Sequence, residues 1–144
     1  MKNPKIAVFY DWLNSWGGAE RLLLQILKTF PQAKLFSTIH HPSKTNWLSK
    51  NYKLTTTYLN KYFQKNTPLL GLLQAIAVES LDFSNFDIVI SLTSLNGKAI
   101  ITPTSTLHIC YCLNINRHLY QKTYPLSTAP LINLLKKIDK IYFK

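Results

Sequence analysis

Two glycines, placed where a strand gives way to a helix, are the residues of this chain best suited to chemistry. Val8-Phe9-Tyr10 is apolar and strand-like, the stretch from Asp11 to Trp16 is loop-like, and Gly17-Gly18 opens an amphipathic run. The first backbone N–H groups of a helix lack intrahelical partners and lie at the positive end of its dipole, so they favour an anion such as phosphate. Glycine lets that anion approach, because no Cβ stands in the way. The same pair also serves a plain strand-to-helix turn. Other reactive side chains are sparse. Cys110 and Cys112 alternate along one strand and share a face. Residues two apart on a strand are poorly placed for a disulfide, and no second pair completes a zinc site. Buried free thiols in a reducing compartment are expected. His40-His41, ahead of Pro42, offers two imidazoles in a loop without further evident ligands, so no metal is expected.

The elements that position these residues follow from periodicity. Lys5 to Tyr10 reads as a buried strand. Gly18 to Phe30 reads as a helix with Ala19, Leu22, Leu23, Ile26, Leu27 and Phe30 on one face, ended by Pro31. Lys34–Ile39 and Lys53–Tyr58 read as strands, Asp87–Leu92 and Leu107–Cys112 as two more, and Thr128–Lys140 as a last helix. The alternation predicts an α/β domain, a Rossmann-like three-layer sandwich around a mainly parallel sheet. Such sheets bind ligands beyond the carboxyl ends of their strands. The loops Trp12–Gly18, Ser91–Lys98 and Leu113–His118 therefore converge on one crevice. Tyr58 to Val78 is different in character: basic and aromatic, then greasy. It suits either a helix packed on the sheet or a segment lying on a membrane surface.

Tyr10-Asp11-Trp12-Leu13 followed by Trp16-Gly17-Gly18-Ala19-Glu20-Arg21 resembles the start of the retaining family-four, or group 1, glycosyltransferases. Three further blocks keep that family's order: Glu79 to Ser91, then Lys98, then Leu107 to Cys112 with Arg117. The resemblance implies one half of a GT-B architecture. Residues 1–144 would form a single N-terminal, acceptor-side domain, with the C-terminal donor-binding domain absent and the chain truncated relative to the family. The family's paired-glutamate motif belongs to that second domain, and no Glu follows Glu79. The implied activity is transfer of a hexose, with retention, from a nucleoside-diphosphate sugar to a glycan or lipid-linked acceptor. Gly17, Gly18 and Arg117 would face the donor phosphates. Asp11, Lys98, Asn114 and His118 are candidate contacts to the acceptor or sugar, Lys98 also as a point charge for phosphate. The family usually has Cys-His-x-Pro-x-Arg after the last of these strands, whereas here Leu113 replaces the histidine and Ile115 the proline. Leucine can neither donate a hydrogen bond to a sugar nor take a proton, so no catalytic residue is assigned. His118 is the nearest imidazole in sequence. Asp11 has an alternative role in capping its own turn, and Glu20 one as a helix-start charge.

Composition bounds the partners. The chain has 144 residues, 47% of them hydrophobic, enough for one domain with a core. Lys and Arg number 17 against 6 Asp and Glu, a formal charge of +11. That balance favours anionic partners: a phosphorylated ligand, an anionic membrane surface or nucleic acid. Scattered basic residues without a nucleic-acid-binding signature argue against the last, and a Lys- and Asn-rich codon bias is the bland alternative. No signal peptide is evident, and no apolar stretch reaches the roughly 18 residues of a spanning helix. A cytoplasmic chain is expected, with contact to the inner face of a membrane left open by the Tyr58–Val78 segment. No cofactor beyond the nucleotide-sugar substrate is implied. A separate donor-domain chain is the partner an enzymatic role would require. The alternative role is a non-catalytic domain that binds a glycan, a membrane surface or a partner enzyme.

Overall fold

Five strands, all parallel, lie in the order β3-β2-β1-β4-β5. A computed structural model of the chain describes residues 3–62, 68–114 and 129–141. The strands are β1 (Ile6–Leu13), β2 (Lys34–His40), β3 (Leu54–Thr56), β4 (Ile88–Thr93) and β5 (Leu107–Cys112). The helices are α1 (Gly18–Thr29), α2 (Leu59–Tyr62), α3 (Pro68–Glu79) and α4 (Ala129–Ile141), with short 3₁₀ turns at Pro42–Lys44 and Gly97–Ala99. Burial explains why β1 and β4 are near-continuous apolar runs: both faces of the central strands are covered.

On one face, Leu23 and Leu27 of α1 pack on Ile6, Val8, Tyr10, Leu35, Ile90 and Leu92. On the other, Val78 of α3 joins Ala7, Phe9, Phe36, Phe83, Val89 and Ile100. α4 packs beside α3, with Ile132 and Leu135 buried. The result is the expected Rossmann-like sandwich of three layers.

Element bounds differ from the sequence expectation in two instructive places. β1 runs three residues past Tyr10, because Trp12 pairs with Ile39, Leu13 pairs with His40, and His41 N–H donates to the Leu13 carbonyl at 2.8 Å. Asp11 is therefore inside a strand rather than in the following loop. β3 is shorter than Lys53–Tyr58, because Thr57 turns inward to donate its hydroxyl to the Thr38 carbonyl at 3.0 Å. Of the segment from Tyr58 to Val78, the described Leu59, Gln74, Ala75, Ala77 and Val78 are buried, while Tyr58, Tyr62 and Ile76 face outward. No helix among the described residues is long and apolar enough to cross a membrane.

Candidate functional site at the sheet switch point

The strand order reverses between β1 and β4, since β1 is followed outward by β2 and β4 by β5. Loops leaving the carboxyl ends of these two strands diverge to opposite faces, and a crevice opens between them. A cleft of about 490 Å³ lies there, lined by Tyr10, Asp11, Trp12, Asn14, Ser15, Ala19, Glu20, Ser94, Leu95, Leu113 and Asn114. Three loops, following β1, β4 and β5, meet at this point.

Asp11 forms one wall and knits two loops together. Its carboxylate accepts the Thr93 hydroxyl at 2.8 and 2.9 Å and the backbone N–H groups of Ser94, Leu95 and Gly97 at 2.7, 3.0 and 3.2 Å. Burial pushes its carboxyl up from the ordinary value, and these donors pull it back down. Nearly all its acceptor capacity is used within the protein, which makes it a positioning group for the Ser94–Gly97 loop before it is a sugar contact.

Glu20, weighed from sequence as a helix-start charge rather than a general acid, forms the opposite wall. It is buried, and its Oε1 accepts the Tyr10 phenol at 2.6 Å and the Ser15 hydroxyl at 2.9 Å. Burial first, and then Glu20, raise the Tyr10 phenol well above its ordinary value, so Tyr10 stays a proton donor. The helix start itself bears on Glu20. Gly17 is the residue before α1, in an extended conformation, and a Cβ on it would stand 3.2 Å from Glu20 Oε2. A Cβ on Gly18 would meet nothing within 4 Å. The positive end of α1 thus already faces an internal carboxylate at Gly17, and the space open to an incoming anion is at Gly18.

The remaining candidates divide. Asn114 lines the cleft together with Leu113, the residue standing where the family pattern has histidine. Lys98 lies half-buried on the 3₁₀ turn after β4 and does not join the described lining. Arg117 and His118 fall outside the described residues. Among the described lining residues there are two carboxylates and no Lys or Arg, so this wall suits hydroxyl groups better than phosphate. The thiols correct the expectation: Cys110 and Cys112 are free but exposed, because β5 is the edge of the sheet.

Sequence reasoning passed over an aromatic pair joined to the cleft through Ser15. The rings of Trp16 and Trp47 are 5.2 Å apart, centroid to centroid, and inclined by 48°, with the Arg21 guanidinium 5.9 Å from the Trp16 ring centre. Trp16 stood in view as a tryptophan just before the glycines. Its partner is 31 positions away, a contact no local pattern encodes. Trp12 packs against Ile39, Leu59 and Ala77, and its indole N–H is buried without a hydrogen-bond partner among the described residues. Such a group costs about 1–3 kcal/mol until an acceptor reaches it. Comparisons of the chain with protein-family models, with curated proteins and with solved structures find no match.

Proposed function

We propose that this chain is the acceptor-side domain of a hexosyltransferase that uses a nucleoside-diphosphate sugar. One observation carries the reading. The block from Tyr10 to Arg21, whose sequence resembles group 1 glycosyltransferases, lines the cleft at the switch point with Tyr10, Asp11, Trp12, Ala19 and Glu20, and the loops that follow the Glu79–Ser91 and Leu107–Cys112 blocks add Ser94, Leu95, Leu113 and Asn114. Fold alone does not license a function; the meeting of the first block with the loops that follow the other two is what supports it.

In this reading the cleft holds the acceptor, a glycan or lipid-linked sugar. A donor-side domain, in the same or a separate chain, closes over it and carries the nucleotide. The open approach at Gly18 faces the diphosphate leaving group, with Arg117 and Lys98 as the basic residues the resemblance assigns nearby, and charge developing there would be met by helix N–H groups. The setting proposed is the cytoplasmic side of a membrane, where lipid-linked acceptors would be reached.

Calorimetric titration of the full chain with UDP-glucose and GDP-mannose tests the reading. Sugar transfer from at least one of them once a donor-side domain is supplied, lost in Gly18→Asp, is the expected result. The substitution sets a carboxylate in open space against the incoming phosphates and leaves the fold intact. A folded chain that gives neither heat nor transfer with a donor-side domain supplied overturns it.

Leu113 in the cleft favours a second reading: a domain of the same fold that binds a glycan without transferring sugar to it. Sugar binding without any product when a donor-side domain is supplied would select this alternative.

A further inference from the structure

We propose that Trp16, braced by Trp47 and Arg21 and next in the chain to Ser15 of the switch-point cleft, is a stacking platform for a pyranose ring of the acceptor. The inference rests on the acceptor-side reading above and names the chemistry of its ligand.

Three observations lead to it. First, Trp16 is 49% exposed although it is the largest kind of apolar side chain. Second, its position is fixed from both sides. Trp47 Nε1–H donates to the Ser15 carbonyl at 2.9 Å, tying the loop to the Pro42–Tyr52 region. The Ser15 hydroxyl donates to Glu20 Oε1 at 2.9 Å, tying the same residue to the start of α1. The Trp47 ring and the Arg21 guanidinium then hold the Trp16 ring itself. An aromatic surface ordered in this way before binding avoids the entropy of ordering it afterwards. Third, Trp16 directly follows Ser15, whose side chain lines the cleft beside Asn14 and Glu20.

The ligand follows from the chemistry. A pyranose has a face of C–H bonds made slightly positive by neighbouring oxygens, and a rim of hydroxyls. The indole face is electron-rich and attracts the first. Carboxylate, amide and hydroxyl side chains hydrogen-bond the second. A nucleobase would also stack on indole. Its phosphates, however, would lie toward Asp11 and Glu20, with no Lys or Arg among the described lining residues. The arrangement therefore selects an uncharged, hydroxyl-rich ring.

All 3 tryptophans of the chain are close to the cleft in sequence or contact: Trp12 is a lining residue, Trp16 follows the lining residue Ser15, and Trp47 bonds the Ser15 carbonyl and packs on Trp16. Intrinsic fluorescence consequently reports on this region alone. The experiment is saturation-transfer NMR with fluorescence titration of the full chain against the methyl pyranosides of glucose, galactose, mannose and N-acetylglucosamine. Octyl glucoside below its micelle concentration and UMP are run in parallel. At least one methyl pyranoside should bind through its ring C–H protons. Trp16→Ala should weaken it about tenfold and Trp16→Phe less, about threefold, in line with the usual value of an aromatic contact. Far-ultraviolet circular dichroism checks that each variant is folded, and Trp16→Phe carries the test if the alanine variant is not.

Failure of every methyl pyranoside to bind overturns the proposal, as does binding unchanged in the folded variants. So does binding of octyl glucoside alone, which would assign the surface to an alkyl chain, or a Trp16-dependent response to UMP alone, which would assign it to a nucleobase. Each of these leaves the nucleotide-sugar titration, and with it the broader functional reading, to stand or fall separately.

Discussion

Asp11 concentrates most of the polar order of the cleft in one side chain. A carboxylate taken out of water is tolerated only when its lone pairs are filled, and here a hydroxyl and three backbone N–H groups fill them. Asp11→Asn keeps the shape but turns an NH₂ toward N–H donors. Leaving such groups unmatched costs about 1–3 kcal/mol each, so this variant should lose roughly 2–3 kcal/mol in urea unfolding, with Ser94 and Leu95 amides losing protection from hydrogen exchange. Unchanged stability would mean the loop is held by other contacts. From sequence, Asp11 was legible as a residue of the crevice but not as its organiser. Its partners lie 82 to 86 positions away, and an aspartate inside a strand runs against local propensity. Glu20 was legible as a helix-start acid, whereas its bonds to Tyr10 and Ser15 depend on how α1 sits on β1.

The elements were more readable than the side chains, because repeating apolar patterns depend on local sequence and burial. The strands and helices stand where periodicity puts them, and the exceptions are ends decided by tertiary bonds, as at β1 and β3. The 3₁₀ turn after β4 shows how tightly such an end can be specified. A Cβ on Gly97 would come within 2.8 Å of both the Phe9 ring and Thr93 Cβ. Neither can move, since Phe9 is wholly buried and Thr93 holds Asp11. Gly97→Ala should therefore destabilise by about 1–3 kcal/mol, the usual range for overpacking. Gly18→Ala, with nothing near its Cβ, should not, and a pair of thermal melts separates the two. Between β4 and β5, His108 Nε2 lies 2.9 Å from the Ser91 hydroxyl. Burial lowers the His108 imidazole from its ordinary value of 6.5, and burial likewise lowers His40. At pH above 6.5 both states of the protein hold these rings neutral. As pH falls from there through the lower folded-state values, the unfolded chain takes up protons first, so stability declines. Urea midpoints should fall between pH 7.5 and pH 5, and His108→Gln should reduce that decline. An unaltered slope would remove His108 as its source.

At the scale of the whole molecule, two features oppose each other: a charge of +11 and a sheet edge at β5 that no other strand among the described residues pairs with. The cysteines of β5 were expected inside because their spacing offers neither a disulfide nor a zinc site. In the structure β5 pairs only with β4 among the described residues, and Leu107, Ile109 and Tyr111 are 58%, 45% and 52% exposed. It carries no lysine or proline of the kind that blunts an edge against pairing with another chain. Protein–protein approach is therefore restrained by charge rather than by the edge itself. That restraint has a range of about 30 Å at 0.01 M salt and about 3 Å at 1 M. Sedimentation velocity should accordingly show monomer at low salt and concentration-dependent association at high salt. Ile109→Lys should abolish that association without lowering the unfolding midpoint, since a half-exposed edge side chain contributes little to the core. Both thiols should react with Ellman's reagent in the native protein, and more slowly at high salt as the edges pair. Salt-independent sedimentation, or thiols that react only after unfolding, would mean that β5 is already covered, and the edge could then play no part in association.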